Sequence, residues 1–205
     1  MRQRTIKNLD EKLSMNAKYR VLSPEELKGK WHEEFGNTNP VHIEIGSGKG
    51  KFITSMAKKN PDINYIAFEG QDDVSLRIME KALSEEITNV RIVIAFVQDL
   101  HEYFEDEEID GVYLSFSDPW PKGRHAKRRL TYHKRIENYI DVMKEGFIEF
   151  RTDNEDLFSF SLEELNLLGI KPKEVSYDFK AEITTEYEDK FSSMGKNILH
   201  YRVEF

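Results

Sequence analysis

The chain has 205 residues and no cysteine, so disulfide bonds, thiolate metal sites and a cysteine nucleophile are excluded. Hydrophobic residues make up 39% of the chain, which is enough for one well-packed domain. The net charge of −8 opposes general attraction to nucleic acid, but the basic residues cluster at 122–135. No apolar run has the length of a membrane span, and the first residues lack an apolar signal segment. We therefore expect a cytoplasmic protein with no membrane partner.

Residues 1–35 are polar and only weakly periodic, which predicts an N-terminal arm. A short helix is predicted near Pro24–Leu27, with Ser23 as its N-cap. Trp31 and Phe35 are expected to anchor this segment to the body of the protein. The sequence thus predicts an arm, residues 1–35, followed by one domain, residues 36–205.

From residue 41 onward, short apolar runs alternate with helical patterns, as in chains built from βαβ units. Strands are predicted at 41–45, 64–69, 90–95, 112–116, 147–151, 175–179 and 198–205. Helices are predicted after residue 50 and at 74–83, 136–143 and 157–168, with one helical turn at 100–104. This order predicts a single α/β domain with a mostly parallel central sheet and helices on both faces.

A glycine loop, Gly46-Ser47-Gly48-Lys49-Gly50, directly follows the first predicted buried strand. Gly46 and Gly48 allow a tight turn and let a ligand approach the backbone at the carboxyl end of that strand. The G-x-G-x-G spacing differs from the pyrophosphate-binding pattern, and the Gly-Lys-Ser/Thr ending of a phosphate loop is absent. A purely structural strand–helix turn would also account for these glycines.

Two acidic residues make a binding role for the loop more specific. Glu69 ends the second strand about 20 residues further on, at the position where an acid binds ribose hydroxyls. Glu44 lies inside the first strand, where a carboxylate is costly to bury alone. We interpret Glu44 as an acceptor for the loop or for a ligand's ammonium group. A nucleoside with a cationic amino-acid tail fits this set, which indicates S-adenosyl-L-methionine as cofactor.

A second motif follows the predicted strand that contains Val112–Leu114. Asp118 arrives at the strand end, and Pro119 and Pro121 stiffen the backbone around Trp120. Five basic residues then occur without an intervening acid; they are Lys122, Arg124, Lys127, Arg128 and Arg129. An acid, a rigid aromatic and a basic tract together favour chemistry beside a polyanion, with the tract contacting phosphates. A solvated surface loop, with Trp120 packed in the core, is the alternative.

Several stretches resemble the tRNA (guanine-N7)-methyltransferase family, over nearly the whole chain. They are Ile43–Gly50, Phe68-Glu69, Phe116–Lys122, Arg124-His125, Lys127–Thr131, Thr152–Asn154 and Thr185–Phe191. The resemblance implies a Rossmann-like class I methyltransferase fold, with S-adenosylmethionine as donor and N7 of a variable-loop guanine in tRNA as target. It implies cofactor binding by Glu44 and Glu69 and makes Asp118 the catalytic, cofactor-proximal acid. It also implies substrate contacts by Lys122, Asp153, Thr185, Glu186, Tyr187 and Glu188.

The chain departs from the family at Phe96, where an acid usually lies near the adenine. Phe96 can stack on adenine or fill its pocket, but it cannot accept a hydrogen bond from the amino group. Asp99, three residues further on, is a candidate substitute.

The chemistry of N7 indicates what Asp118 would do. N7 carries a lone pair and no proton, so methylation needs no general base. Because the product ring is cationic, a nearby carboxylate stabilises the developing charge. Asp118 can also hold the guanine by accepting bonds from its N1–H and amino group.

Two other functions fit parts of the sequence. One is an RNA-binding module of the same fold that has lost its cofactor through Phe96. The other, a nicotinamide-dependent oxidoreductase, is disfavoured by the glycine spacing and the long basic loop. No cluster of His and carboxylates has metal-ligand spacing, so no metal is expected. A monomer or a homodimer is expected.

Overall fold

The computed structural model describes residues 6–205, in which eight strands form one sheet in the order β1-β4-β3-β2-β5-β6-β8-β7. The strands are β1 (Arg20–Val21), β2 (Val41–Ile45), β3 (Asn64–Glu69), β4 (Val90–Ile94), β5 (Ile109–Ser115), β6 (Met143–Thr152), β7 (Glu174–Ser176) and β8 (Leu199–Glu204). The helices are α1 (Leu9–Met15), α2 (Trp31–Phe35), α3 (Lys51–Lys59), α4 (Asp72–Ser84), α5 (His133–Asp141), α6 (Glu155–Leu167) and α7 (Glu186–Ser193). Short 3-10 helices occur at Ala17–Tyr19, Pro24–Leu27, Leu100–Glu102 and Gly123–Arg128.

The sheet is parallel from β1 to β6, and β8 and β7 complete it with antiparallel pairing. Every residue of β2 and β3 is buried, as expected for central strands covered on both faces. Alternate residues point to opposite faces, so Ile66 and Phe68 enter one apolar cluster while Tyr65 and Ala67 enter the other. The predicted α/β architecture is confirmed.

The N-terminal segment is packed against this sheet. β1 pairs with β4, and the Tyr19 hydroxyl donates to the Ala82 carbonyl at 2.9 Å. Trp31 is fully buried, and its indole N–H donates to the Tyr103 carbonyl at 2.9 Å. The predicted anchoring by Trp31 is therefore confirmed, whereas Ser23 makes no side-chain capping bond. The division at residue 35 stays a prediction.

Several element boundaries differ from the sequence prediction by a few residues, and β1, α1, α2 and α7 were not predicted. The helix predicted to reach Met143 ends at Asp141, because Met143 begins β6 and pairs with Ile109. Helix α7 was not predicted, since only one of its eight residues, Glu188, is buried and its apolar periodicity is weak.

No helix in residues 6–205 is both long and apolar enough to cross a membrane. Within the same range, no three or more His, Cys, Asp or Glu side chains form a group that could hold a metal ion.

We expect Trp31→Ala to lower the free energy of unfolding by about 3–5 kcal/mol, because it removes a fully buried indole and leaves a cavity. Urea denaturation followed by circular dichroism measures this change. Leu22→Ala is the control, since Leu22 is 76% exposed and its truncation should change stability by less than about 0.5 kcal/mol. Equal effects of the two substitutions would contradict the anchoring role of Trp31.

Candidate active site

A cavity of about 1510 Å³ opens where the parallel strands end. Strand β2 pairs with β3 on one side and with β5 on the other, so the chain changes direction across the sheet at this point. In open α/β sheets, ligands bind outside the carboxyl ends of the strands at such a switch point. The segments that follow β2, β3, β4 and β5 all contribute to the cavity wall.

The glycine loop forms one wall of this cavity. Gly46 and Gly48 have φ values of 82° and 54°, in the left-handed region that glycine adopts without strain. A Cβ atom built on either residue would meet nothing within 4 Å, so both face open space. Side chains there would obstruct a ligand's approach to the loop backbone.

Glu69 holds the loop from the end of β3. Its carboxylate accepts hydrogen bonds from the Gly48 N–H at 3.0 Å and from the Gln71 N–H at 3.1 Å. Burial raises the pKa of Glu69, while these hydrogen bonds oppose the shift. A carboxylate has about four acceptor positions, so Glu69 keeps capacity for further donors on the cavity side.

Glu44 lies beside Glu69 on the adjacent strand and is almost fully buried. Its Oε2 atom has no hydrogen-bond partner among the described residues. Burial raises the pKa of Glu44 to about 8, and the charges of Glu186 and Glu69 contribute to the shift. An unpartnered buried carboxyl is costly, so this side chain suits a cationic ligand group that enters the cavity.

Phe96 lies on the opposite side of Glu69, at the end of β4. Its ring is 70% exposed and packs on the backbone of Gly70, so closely that a Cβ on Gly70 would lie 2.3 Å from the ring. Asp99 does not line the cavity, and its carboxylate accepts bonds from the His101 and Asn138 N–H groups. Phe96 therefore lines the cavity and Asp99 does not, and the role of either residue at the adenine stays a prediction.

Asp118 lies on a strained loop after β5, and its side chain is exposed to the cavity. Phe116 and Trp120 flank it with φ values of 52° and 41°, which bulky residues rarely adopt. Arg129 holds the loop by donating to the carbonyls of Pro119 and Trp120 at 3.0 and 3.1 Å. Strain of this kind persists only where surrounding contacts enforce it, and it is concentrated at functional sites.

Trp120 is half-buried at the cavity wall and does not belong to the core clusters. The Arg128 guanidinium lies 4.8 Å from its ring centroid, and His125 contacts the ring edge-on at 5.7 Å. Arg128 and His125 both have polar side chains, so they hold the indole in place and leave it partly accessible to solvent. Its placement fits a stacking platform better than a core residue.

Helix α7 and the residues before it form the remaining wall. The Thr185 hydroxyl caps α7 by accepting the Glu188 N–H at 2.9 Å. The Glu188 carboxylate lies 3.4 Å from an Arg151 nitrogen and is buried, while Glu186 and Tyr187 line the cavity. Arg151 also donates to the Ile183 carbonyl at 2.8 Å, so it holds the segment that leads into α7.

Ten of the predicted site residues line the cavity: Glu44, Gly46, Gly48, Glu69, Phe96, Asp118, Arg128, Thr185, Glu186 and Tyr187. Lys122 and Arg124, at the start of the basic tract, are exposed and do not line the cavity. Asp153 is paired with Lys196 in a second cavity of about 670 Å³. Their roles in substrate binding stay predictions.

Sequence reasoning missed two arginines that hold the site. Arg151 pairs with Glu149 on the same strand at 2.6 Å, and both side chains are buried. Residues at alternate positions of a strand share one face, so opposite charges at 149 and 151 of an apolar strand could have indicated this pair. Arg129 was grouped with the basic tract, and no local pattern separates a bracing arginine from a solvated one.

Solved structures that superpose on this chain include methyltransferases. An antibiotic-related methyltransferase superposes with a TM-score of 0.64 at 21% identity, covering 90% of this chain and 94% of that one. A SAM-dependent methyltransferase from Aquifex aeolicus gives a TM-score of 0.57 at 15% identity, with 97% and 99% covered. The chain therefore has the class I methyltransferase fold, with its cavity at the switch point of the sheet.

Sequence comparison identifies the family. A family model described as "Putative methyltransferase" matches residues 38–201. The tRNA (guanine-N(7)-)-methyltransferase of Streptococcus pyogenes serotype M6 is 46% identical over 210 aligned positions, covering 100% of this chain and 99% of the relative. The chain belongs to the tRNA (guanine-N7)-methyltransferase family.

The residues at the cavity fit S-adenosylmethionine. Gly46 and Gly48 leave space against the loop backbone, and Glu69 has acceptor capacity for ribose hydroxyls. Glu44 and Ser117 line the cavity, and each has one buried oxygen, Oε2 and Oγ, with no partner among the described residues. The Glu44 carboxylate suits the ammonium group of the cofactor's amino-acid tail.

We expect binding of S-adenosylhomocysteine to release a proton near pH 7. Glu44, with its pKa raised to about 8, is mostly protonated before binding, and an ammonium group beside it favours the ionised form. Affinity should therefore rise with pH up to about 8. Calorimetric titration in buffers of different ionisation enthalpy counts the proton. Glu44→Gln should lose this release and Glu25→Gln should keep it; release that persists in Glu44→Gln would assign the proton elsewhere.

We expect Phe96→Ala to weaken S-adenosylhomocysteine binding about 5-fold or more, because base–aromatic stacking contributes about 1–3 kcal/mol. The same titration measures this, with Leu167→Ala as the control because Leu167 is an equally exposed apolar residue, at 69%. Tighter binding by Phe96→Ala would show that the ring obstructs the adenine position.

Proposed function

We propose that this protein transfers the methyl group of S-adenosylmethionine to N7 of a guanine in the variable loop of tRNA. The observation that carries the proposal is the position of Asp118. Asp118 lines the cavity on a strained loop, Glu44 and Glu69 line the same cavity, and the basic tract directly follows this loop in the chain. A carboxylate in this position can accept hydrogen bonds from a base that lies next to the methyl donor.

The reaction requires positioning more than proton transfer. S-adenosylmethionine supplies an electrophilic methyl group on a sulfonium sulfur when it is bound. Guanine N7 attacks with its own lone pair, so the protein does not need to remove a proton first. Asp118 accepts hydrogen bonds from N1–H and the amino group, and its charge stabilises the cationic ring that forms.

The guanine must leave its stack before it can enter the cavity, at a cost of a few kcal/mol. Trp120 offers an aromatic face at the wall, with Arg128 beside it. A base stacked there would recover part of the unstacking cost. Thr185, Glu186 and Tyr187 enclose the same space from the side of α7.

The basic tract gives tRNA its binding surface. Lys122, Arg124 and Lys127 are exposed, and none forms an ion pair with another described residue. Phosphate contacts by these side chains release counterions, so tRNA affinity should fall as salt rises. The acidic remainder of the surface, which gives the net charge of −8, confines the polyanion to this region.

The direct test is methyl transfer from S-adenosylmethionine to an unmodified tRNA transcript, followed by nuclease digestion and mass spectrometry. The expected product is 7-methylguanosine in the variable loop. A transcript in which that guanine is replaced by adenine should accept no methyl group. Methylation at a different atom or nucleotide would overturn the proposal.

We expect Asp118→Asn to lower kcat/KM for tRNA at least about 100-fold, because it removes the charge that stabilises the cationic product. The exposed position predicts unchanged stability within about 0.5 kcal/mol. Asp106→Asn is the matched control, since Asp106 is 82% exposed on a distant loop and should keep the normal rate. A near-normal rate for Asp118→Asn would remove Asp118 from the mechanism.

A further inference from the structure

Residues 182–189, which we name the strap, are held to the cofactor side of the domain by lysines from two helices. Lys51 and Lys59 of α3 pair with Asp189 and Glu182, and Lys81 of α4 pairs with Glu186 at 2.7 Å. Three acids of one short segment thus meet three lysines of the helices that follow the glycine loop and β3. The contacts lie outside the roles already given to the site residues.

Lys81 differs from the other two lysines because it contacts both sides of the cavity. Its ammonium group donates to the Lys49 carbonyl of the glycine loop at 3.1 Å and to the Glu186 carboxylate at 2.7 Å. Both the Lys81 and the Glu186 side chains are about one-third exposed, so the pair is partly shielded from solvent. A single side chain therefore joins the loop that holds the cofactor to the strap.

The strap in turn reaches the binding space. Thr185 and Glu186 line the cavity, and the charge of Glu186 is felt at Glu44, whose pKa it helps to raise. A shift of the glycine loop on cofactor binding would move the Lys49 carbonyl, and Lys81 would transmit that shift to Glu186. In the same way, a shift of the strap on binding of a base would move Glu186, and Lys81 would transmit that shift to the glycine loop.

We propose that Lys81 is a positioning residue that couples the cofactor loop to the strap, so that cofactor and tRNA each strengthen binding of the other. The inference rests on the proposed function, because it needs both ligands to occupy one cavity. Linkage requires the effect to be reciprocal, with the same factor in both directions.

Removing Lys81 also changes the charge near both ligands, and that effect has to be separated from coupling. Loss of a positive charge favours a cationic cofactor tail and disfavours a polyanion, whether or not the two sites communicate. The ratio of cofactor affinities with and without tRNA cancels such single-ligand effects. This ratio is therefore the informative quantity.

The experiment is calorimetric titration of the full chain with S-adenosylhomocysteine, alone and in the presence of saturating unmodified tRNA. The wild-type protein should bind the ligand at least about 5-fold more tightly with tRNA, the lower end of typical coupling. Lys81→Met should reduce this factor to less than about 2. Lys81→Arg should recover most of it, because a guanidinium can still donate to both oxygens.

Lys58→Met is the matched control, since Lys58 forms a surface ion pair with Glu85 at 2.9 Å and does not touch the strap. It removes one lysine and one ion pair from the same region and should keep the wild-type factor. Thermal unfolding of each variant verifies that the fold is intact.

A wild-type coupling factor in Lys81→Met, or no coupling in the wild-type protein, would overturn the inference. The methyl-transfer assay separates this from failure of the proposed function. A wild-type protein that methylates tRNA while its two ligands bind independently contradicts only the role of Lys81. A protein that neither binds nor methylates tRNA contradicts both.

Discussion

Parallel pairing of β2 with both β3 and β5 is the constraint on which the site depends. It places the carboxyl ends of neighbouring strands at one edge, so residues distant in sequence converge without any direct link between them. Glu44, Glu69 and Asp118 each come from a different strand or the loop after it. The only way to bring them together is to build the sheet correctly, and the apolar cores on its two faces do so.

The site buries several ionisable side chains, and this burial has an energetic cost. Glu44 is buried and one of its oxygens has no partner among residues 6–205, whereas Glu149, Arg151 and Glu188 are buried as a connected group. A paired cluster of this kind gives little net stability, but losing one member leaves an uncompensated charge. We therefore interpret the Arg151 group as support for the strap and Glu44 as a residue suited to bind a cationic group. Their different hydrogen bonding separates a structural role from a binding role.

Much of the architecture follows from local sequence, and the exceptions have a physical cause. The strands from β2 to β5 are apolar runs that their flanking glycines and polar residues delimit, so their positions could be predicted. Helix α7 could not, because its cap at Thr185 and its contacts with Arg151 and Lys81 stabilise it more than its own periodicity does. Because the ends of these strands could be predicted, the cavity residues that directly follow them could be predicted too. Lys81 and Arg129 act through tertiary contacts that no local pattern encodes.

The basic tract shows why the number of basic residues overestimates the number of phosphate contacts. Five basic residues occur between 122 and 129, yet Arg129 turns inward to hold the Asp118 loop and lies 4.1 Å from the Phe160 ring centroid. Arg128 lies over Trp120, where it supports the platform as well as facing the cavity. Three of the five, Lys122, Arg124 and Lys127, make no side-chain hydrogen bond or ring contact with another described residue and are left for phosphates, and Lys127 also lines the cavity. Since each phosphate contact contributes about 0.7–0.9 to the salt slope of binding, the tract accounts for a slope near 2–3 and not near 4. The stiffness of the loop and the affinity for RNA therefore depend on the same short run of basic residues, which links substrate binding to the placement of Asp118.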